Sequence, residues 1–83
     1  MIVEAHAIQG VVTGIVRQFV IDPKAILDAH TDLRQAGVDS LDLVDIVQKI
    51  EDAYDIEIAL GEESGIATIG DAVKIIMNKV GIK

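Results

Sequence analysis

The stretch GVDSLDLVDIVQKIEDAYDIEI, residues 37–58, sets seven carboxylates and one serine around a strong helical pattern. Steps of about 100° per residue place large apolar side chains on one face and mostly polar side chains on the other. The apolar face is formed by Leu43, Ile46, Val47, Ile50 and Tyr54, and the opposite face by Leu41, Asp45, Gln48 and Asp52, with Val44 at the edge. The pattern predicts an amphipathic helix from Ser40 to Tyr54 that packs with its apolar face inward.

Two aspartates mark the start of this helix. Asp39 is a favourable N-cap, and Asp42 three residues later forms a capping-box pattern with Asp in place of the usual Glu or Gln. Acidic groups in the first turn also interact favourably with the helix dipole. Ser40 is therefore expected in the first helical turn.

Two further helices are predicted from apolar side chains that recur every three or four residues. The first runs roughly from Val3 to Val20, and the last opens with a second capping box, Thr68 and Asp71, and ends at Gly81. Residues 61–65 are expected to form a short irregular turn or a single-turn helix before it. The apolar stripes are Ile8, Val11, Val12, Ile15, Val16 and Phe19 in the first helix, and Ile69, Ala72, Val73, Ile76, Met77 and Val80 in the last.

A long connection over residues 21–38 separates the first two main helices. Pro23 is predicted to break the first helix and to start a single turn that reaches Leu27. Ile26 and Leu33 are expected to anchor the connection in the core. Loops longer than about 12–15 residues are uncommon in compact domains and are often functional. The patterns together predict an all-α fold, a small four-helix bundle of three main helices plus one short helix.

Composition narrows the classes of function. The 83 residues suffice for one domain, here residues 1–83, with a formal net charge of −7 and no cysteine. The lack of cysteine excludes a disulfide framework or thiolate metal site and suggests an intracellular protein. The charge argues against nucleic acid and anionic membranes as partners and favours basic protein surfaces. No apolar stretch approaches the roughly 18 residues of a membrane span.

Candidate chemistry centres on Ser40. A nucleophilic serine needs a base and an oxyanion site, and neither is visible in the pattern. A second interpretation is a plain helix-start residue beside a cap. A third is covalent modification, since the first turn of a helix can hold a phosphate ester. Asp39 and Asp42 oppose that charge and so fit better as contacts for the modifying enzyme.

No metal site is predicted. His6 and His30 have no second ligand at a characteristic spacing. The aspartates at positions 39, 42 and 45 lack the alternating ligands, central glycine and terminal glutamate of a calcium loop. A solvated acidic face or an acidic docking face accounts for them.

The order of these elements resembles the acyl carrier proteins, small acidic four-helix bundles that carry phosphopantetheine on serine. The resemblance rests on the segment GVDSLD, residues 37–42, which is close to the family's Gly-x-Asp-Ser-Leu-Asp, and on the helix that follows. Asp22-Pro23 and Ala67-Thr68-Ile69 also match family positions, so the resemblance extends over nearly the whole chain. It implies a stand-alone acyl carrier domain that is not an enzyme.

By this resemblance, Ser40 is the attachment point for 4′-phosphopantetheine, transferred from coenzyme A by a phosphopantetheinyl transferase. The arm would supply the thiol that the chain lacks and hold acyl intermediates as thioesters for fatty-acid, specialised lipid or polyketide enzymes. The positions expected to face basic docking patches on these acyl-transferring and acyl-modifying enzymes are Asp39, Leu41, Asp42, Val44, Asp45, Glu51 and Asp52. The expected setting is the cytoplasm, and the expected state is a monomer without stable membrane insertion.

The sequence also departs from the family pattern. Arg34 and Gln35 replace two acids that the family often has before the serine motif. Lys49 adds a positive charge to the helix predicted from Ser40 to Tyr54. These changes suggest a specialised carrier, with a housekeeping fatty-acid carrier as the other interpretation. A core of small aliphatic side chains could part to take up an attached acyl chain, at about 0.8 kcal/mol per buried methylene. The alternative from another class is an unmodified helical adaptor that docks basic partners through its acidic face.

Overall fold

Three α-helices and one 3₁₀ helix follow one another in the computed structural model, which describes residues 5–22, 24–59 and 61–80. The helices are α1 (Ala5–Arg17), α2 (Ser40–Tyr54), the 3₁₀ helix η1 (Glu62–Gly65) and α3 (Ile69–Lys79). No strand occurs in this part of the chain, where Asp32 and Thr68 form an isolated antiparallel bridge. The all-α prediction of three main helices and one short helix is confirmed. None of the helices in these ranges is both long enough and apolar enough to cross a membrane.

One hydrophobic core joins the three α-helices. Burying an aliphatic side chain stabilises the fold by about 1.5–3 kcal/mol. This cluster therefore makes the main favourable contribution to the free energy of folding. Its members are Ile8, Val12 and Val16 from α1, Ile46, Val47 and Ile50 from α2, Ile69, Ala72, Val73 and Ile76 from α3, and Leu33, Val38, Ile58 and Ile66 from the connections. Within the described residues no polar or charged side chain is buried.

The first helix is shorter at its carboxyl end than the sequence pattern indicates. The N–H groups of Gln18 and Phe19 donate to the carbonyls of Ile15 and Val16, three residues back, which is the tighter 3₁₀ arrangement that often closes a helix. The helix therefore ends at Arg17 rather than Val20. The expected start near Val3 lies outside the described residues, as do Pro23 and the expected end of α3 at Gly81.

The prediction that Ile26 anchors the long connection is wrong, because its side chain is 90% exposed. Residues 25–31 alternate between half-buried and exposed, as in an extended chain whose successive side chains point to opposite sides. Leu27 takes the inward position and packs against the core. In the described residues the turn after Asp22 is closed by Ala25 N–H, which donates to Asp22 O at 3.0 Å, and residues 25–28 that follow are not part of a turn.

Both ends of α2 are set by local hydrogen bonds. Asp39 and Asp42 form the predicted capping box at the start. At the other end, Asp55 adopts a left-handed conformation with φ 54° and ψ 49°, and Ile56 N–H donates to Glu51 O at 3.2 Å. The predicted bounds, Ser40 to Tyr54, are those of the helix.

The start of α3 is held by the second predicted capping box. Asp71 N–H donates to Thr68 Oγ1 at 3.1 Å, and Asp71 Oδ2 accepts from the N–H groups of Ala67 at 3.0 Å and Thr68 at 3.1 Å. These backbone N–H groups, first that of Ala67, hold the pKa of Asp71 below its ordinary value. A lowered pKa means that the folded state favours the ionised carboxylate.

Replacing Asp71 with Asn should therefore change how stability depends on pH. The ionised group stabilises the fold above its unfolded pKa, and this contribution is lost as pH falls through the lower folded pKa. We expect Asp71→Asn to lower the free energy of unfolding by about 0.3–1 kcal/mol near pH 7, and the difference from wild type to shrink below about pH 4. Urea unfolding followed by circular dichroism across this range measures it.

Glu57→Gln is the matched control, because Glu57 is an exposed carboxylate after the end of α2. It removes one negative charge without touching a cap. A difference between wild type and Asp71→Asn that stays constant from pH 7 to pH 3 would contradict the assigned role of the carboxylate.

Candidate functional site

Ser40 lies in the first turn of α2, and its side chain is exposed. The cap is made by its neighbours: Asp42 N–H donates to Asp39 Oδ1 at 2.8 Å, and Asp39 N–H donates to Asp42 Oδ2 at 3.3 Å. No residue of the described ranges hydrogen-bonds to Ser40 Oγ. The hydroxyl is thus held on a capped helix end and open to solvent.

The segment that precedes Ser40 is a tight turn, and backbone hydrogen bonds join it to the residues just before α3. Val38 N–H donates to Leu33 O at 2.9 Å, and Leu33 N–H donates to Ala67 O at 3.0 Å. The side chains of Leu33 and Val38 are both buried. The backbone just before the serine is therefore anchored to the core and to the loop between η1 and α3.

A groove of about 600 Å³ opens beside Ser40, between the turn at residues 32–38, the start of α2 and η1. Its lining combines aliphatic side chains with three carboxylates and one guanidinium. The lining residues are Asp32, Leu33, Arg34, Val38, Asp39, Ser40, Leu43, Val44, Glu63, Ser64, Ile66 and Ala67. This serine groove can accommodate an elongated group attached to Ser40 against an apolar wall.

The sequence pattern did not reveal the far side of the serine groove. Glu63, Ser64, Ile66 and Ala67 lie more than 20 residues after Ser40 and share no periodicity with it. They reach the site because backbone hydrogen bonds join the two connections, and no local signal encodes that contact.

Four of the expected partner-facing residues project from α2 with no structural task. Leu41 is 76% exposed and Val44 is 56% exposed. Asp45 and Asp52 are exposed and lie seven residues apart on one face of α2, about 10.5 Å along its axis. Together they form an apolar pair followed by two acids, which we call the α2 outer face.

The other three expected partner-facing residues are tied to their own backbone. Asp39 and Asp42 cap the helix, and Glu51 Oε2 accepts from Ile58 N–H at 3.0 Å. Glu51 is half-buried by this contact. Their carboxylates contribute negative charge near the helix, but each also supports local structure.

The two histidines lie away from this site. His6 is exposed in α1, and His30 is exposed in the long connection. In residues 5–22, 24–59 and 61–80, no three His, Asp or Glu side chains are grouped so that they could hold a metal ion.

Comparison with known proteins gives the family. A family model described as the phosphopantetheine attachment site matches residues 9–76. The chain is 38% identical over 64 residues to an acyl carrier protein of Sulfurovum sp. (strain NBC37-1), covering 77% of this chain and 85% of that protein. It is 56% identical over 45 residues to an acyl carrier protein of Prochlorococcus marinus (strain MIT 9515), covering 54% and 56% of the two chains.

The helical fold and these matches define a carrier domain for phosphopantetheine. The chain belongs to the acyl carrier protein family. Members carry covalently attached 4′-phosphopantetheine, act as carriers rather than enzymes, and interact with phosphopantetheinyl transferases and acyl-handling enzymes. The resemblance inferred from the sequence is confirmed at this level.

Gly37 is a testable support of the site. Its φ is 103°, a conformation that side chains disfavour, and an added Cβ would lie 2.5 Å from Cγ1 of Ile21. We expect Gly37→Ala to lower the free energy of unfolding by about 1–3 kcal/mol. Gly14→Ala is the control, since nothing lies within 4 Å of a Cβ there, and alanine should stabilise α1 by about 1 kcal/mol.

Urea unfolding of the two glycine variants beside wild type measures both effects. Opposite signs are expected. A Gly37→Ala protein as stable as wild type would show that neither the backbone conformation nor the contact with Ile21 constrains the approach to Ser40.

Proposed function

We propose that Ser40 receives 4′-phosphopantetheine and that the protein presents acyl groups to enzymes that dock on α2. The observation that carries the proposal is the exposed Ser40 hydroxyl, which lies on a capped helix end beside the serine groove in a chain of the acyl carrier family. The group supplies a thiol that holds acyl groups as thioesters. The chain has no cysteine of its own to do so.

The first turn of α2 suits attachment of a phosphate ester. In the transfer, Ser40 Oγ forms a bond to the phosphorus that carries the pantetheine of coenzyme A. The bond from that phosphorus to the adenosine bisphosphate breaks, and the hydroxyl proton passes to a base of the transferase. The N–H groups of Ser40 and Leu41 lie in the first turn and have no acceptor within the helix. They are therefore available to stabilise the new phosphodiester charge.

The α2 outer face supports docking of basic partners. Its acids at positions 45 and 52 are free of structural hydrogen bonds in the described part of the chain, so they can interact with lysine or arginine without loosening the helix. Leu41 and Val44 add apolar contact area at the serine end. The net charge of −7 also disfavours pairing of two copies through this face, which supports a monomer.

The serine groove supports a role in holding the cargo. Val38, Leu43, Val44 and Ile66 line it beside Ser40, and the aliphatic core lies beneath. Each methylene of an acyl chain buried there would contribute about 0.8 kcal/mol. We propose that the groove is the entrance through which an acyl chain enters between α2 and the η1 region.

The pathway is part of the same proposal. Arg34 precedes the acidic serine motif and Lys49 lies among the acids of α2. These positive charges favour a specialised lipid or polyketide pathway over a housekeeping one. We propose that residues 1–83 form a single carrier domain. We also propose that the transfer of acyl groups takes place in the cytoplasm. The acyl group found on protein isolated from its host identifies the pathway directly.

Intact mass spectrometry tests the attachment. Incubation of the unmodified protein with coenzyme A and a broad-specificity transferase should add one phosphopantetheine to wild type. Ser40→Ala should gain nothing, because the attacking oxygen is gone, while its circular dichroism stays that of wild type. Ser64→Ala is the matched control, since this exposed serine also lines the serine groove.

The attachment result also separates carrier from adaptor. An unchanged wild-type mass, under conditions that load a known carrier, would favour the unmodified adaptor. A mass increment that persists in Ser40→Ala and disappears in Ser64→Ala would move the attachment point across the groove.

Charge reversal tests the docking face. Asp45→Lys and Asp52→Lys should each lower kcat/KM for loading or acyl transfer at least about fivefold, because an attractive contact becomes repulsive. Helicity should be unchanged, since both side chains are exposed. Glu57→Lys is the control: it makes the same charge change outside α2, and its kcat/KM should stay within about twofold of wild type.

Two results would contradict the docking assignment. One is an equal loss of kcat/KM in all three lysine variants, which would indicate a general effect of net charge. The other is unchanged kcat/KM in Asp45→Lys and Asp52→Lys with several different partner enzymes.

A further inference from the structure

We propose that the guanidinium of Arg34 pairs with the phosphodiester that joins the arm to Ser40. This inference rests on the proposed function, because the phosphodiester exists only after Ser40 is modified. It assigns a binding role to a residue that lies outside the serine motif, six positions before Ser40 in the chain.

The serine groove brings the two residues together. Arg34 and Ser40 both line it, and Arg34 is the single cation among the groove-lining residues that the structure describes. The Arg34 backbone is also held in place, since its carbonyl accepts from Gly37 N–H at 3.1 Å. The flexible side chain therefore starts from a fixed point beside the groove.

The Arg34 guanidinium makes no hydrogen bond or ion pair with its own chain within the described residues. This is unexpected, because three carboxylates line the same groove. Each of them accepts a hydrogen bond from a nearby backbone N–H group instead. These bonds run from Gln35 N–H to Asp32 Oδ1 at 3.0 Å, from Asp42 N–H to Asp39 Oδ1 at 2.8 Å, and from Gly61 N–H to Glu63 Oε2 at 2.8 Å.

A phosphodiester is the anion that matches this free cation. The planar guanidinium donates two parallel hydrogen bonds to phosphate oxygens, and such charge-assisted pairs are stronger than neutral ones. Modification of Ser40 adds a negative charge next to Asp39 and close to Asp42. Arg34 offsets the resulting repulsion from the groove side.

Thermal unfolding of modified and unmodified protein tests the pairing. We compare wild type, Arg34→Met and Lys49→Met, each without the arm and with an unacylated arm, in 0.15 M salt. Lys49→Met removes the same charge, but Lys49 lies nine residues along α2 from Ser40, about 13.5 Å away. That separation exceeds the screening length of about 8 Å at this salt concentration.

Loading should lower Tm by about 1–4 °C more in Arg34→Met than in wild type. Lys49→Met should respond to loading as wild type does. Raising the salt to 1 M, where the screening length is about 3 Å, should shrink the extra loss. An unacylated arm excludes an anionic cargo as the partner of Arg34.

Equal loading responses in all three proteins would overturn the pairing, as would an extra loss of the same size in Lys49→Met. A wild-type protein that takes up no arm would overturn the proposed function and the pairing with it. A wild-type protein that loads normally but shows no dependence on Arg34 overturns the pairing alone.

Magnetic resonance of the wild-type protein gives a second measurement that needs no variant to fold or load. The Arg34 side-chain Nε–H resonance should shift when the arm is attached, and the phosphodiester ³¹P resonance should move on raising the salt. An Arg34 Nε–H resonance that is the same with and without the arm would overturn the pairing.

Discussion

Two backbone hydrogen bonds of Leu33 join the parts of the molecule that make the site. Its N–H donates to Ala67 O at 3.0 Å, and its carbonyl accepts from Val38 N–H at 2.9 Å. The first bond attaches the long connection to the start of α3, and the second brings that connection to the residue before the α2 cap. The buried Leu33 side chain also holds this segment against the core. The serine groove exists because these two segments are held side by side.

The acidic residues around α2 divide into two groups with different physical tasks. The carboxylates of the first group, Asp39, Asp42 and Glu51, accept hydrogen bonds from backbone N–H groups at the start of α2 and in the segment after it. The second group, on the α2 outer face, makes no such bond within the described residues and contributes only charge. Since no polar side chain is buried in these ranges, the core imposes no electrostatic requirement of its own. The charge of the α2 outer face is therefore available to partners, whereas the capping carboxylates also serve folding.

The sequence was most informative where structure is determined locally. The bounds of α2 and the start of α3 were predicted correctly because capping boxes are local. Asp39 bonds with Asp42, and Thr68 bonds with Asp71, each pair three residues apart. Ile26 was assigned to the core wrongly, since an irregular segment has no period to show that Leu27 points inward instead. The α-helical hydrogen bonds of α1 end at Arg17, although the apolar side chains that predicted the helix continue to Phe19. The serine groove was not predictable, because its walls meet only through long-range backbone contacts.

Leu41, Val44, Asp45 and Asp52 are exposed, and within the described residues their side chains make no hydrogen bond or ion pair. Substitutions at these four positions should leave the core and both helix caps intact. Under the proposed docking, changes on this one helix face would therefore alter the set of client enzymes without unfolding the carrier. The capping aspartates have no such freedom, because a change there costs about 0.5–2 kcal/mol of stability. If partners dock there as proposed, divergence of the α2 outer face after gene duplication is an accessible route to new pathways, with Ser40 and the capping aspartates kept constant.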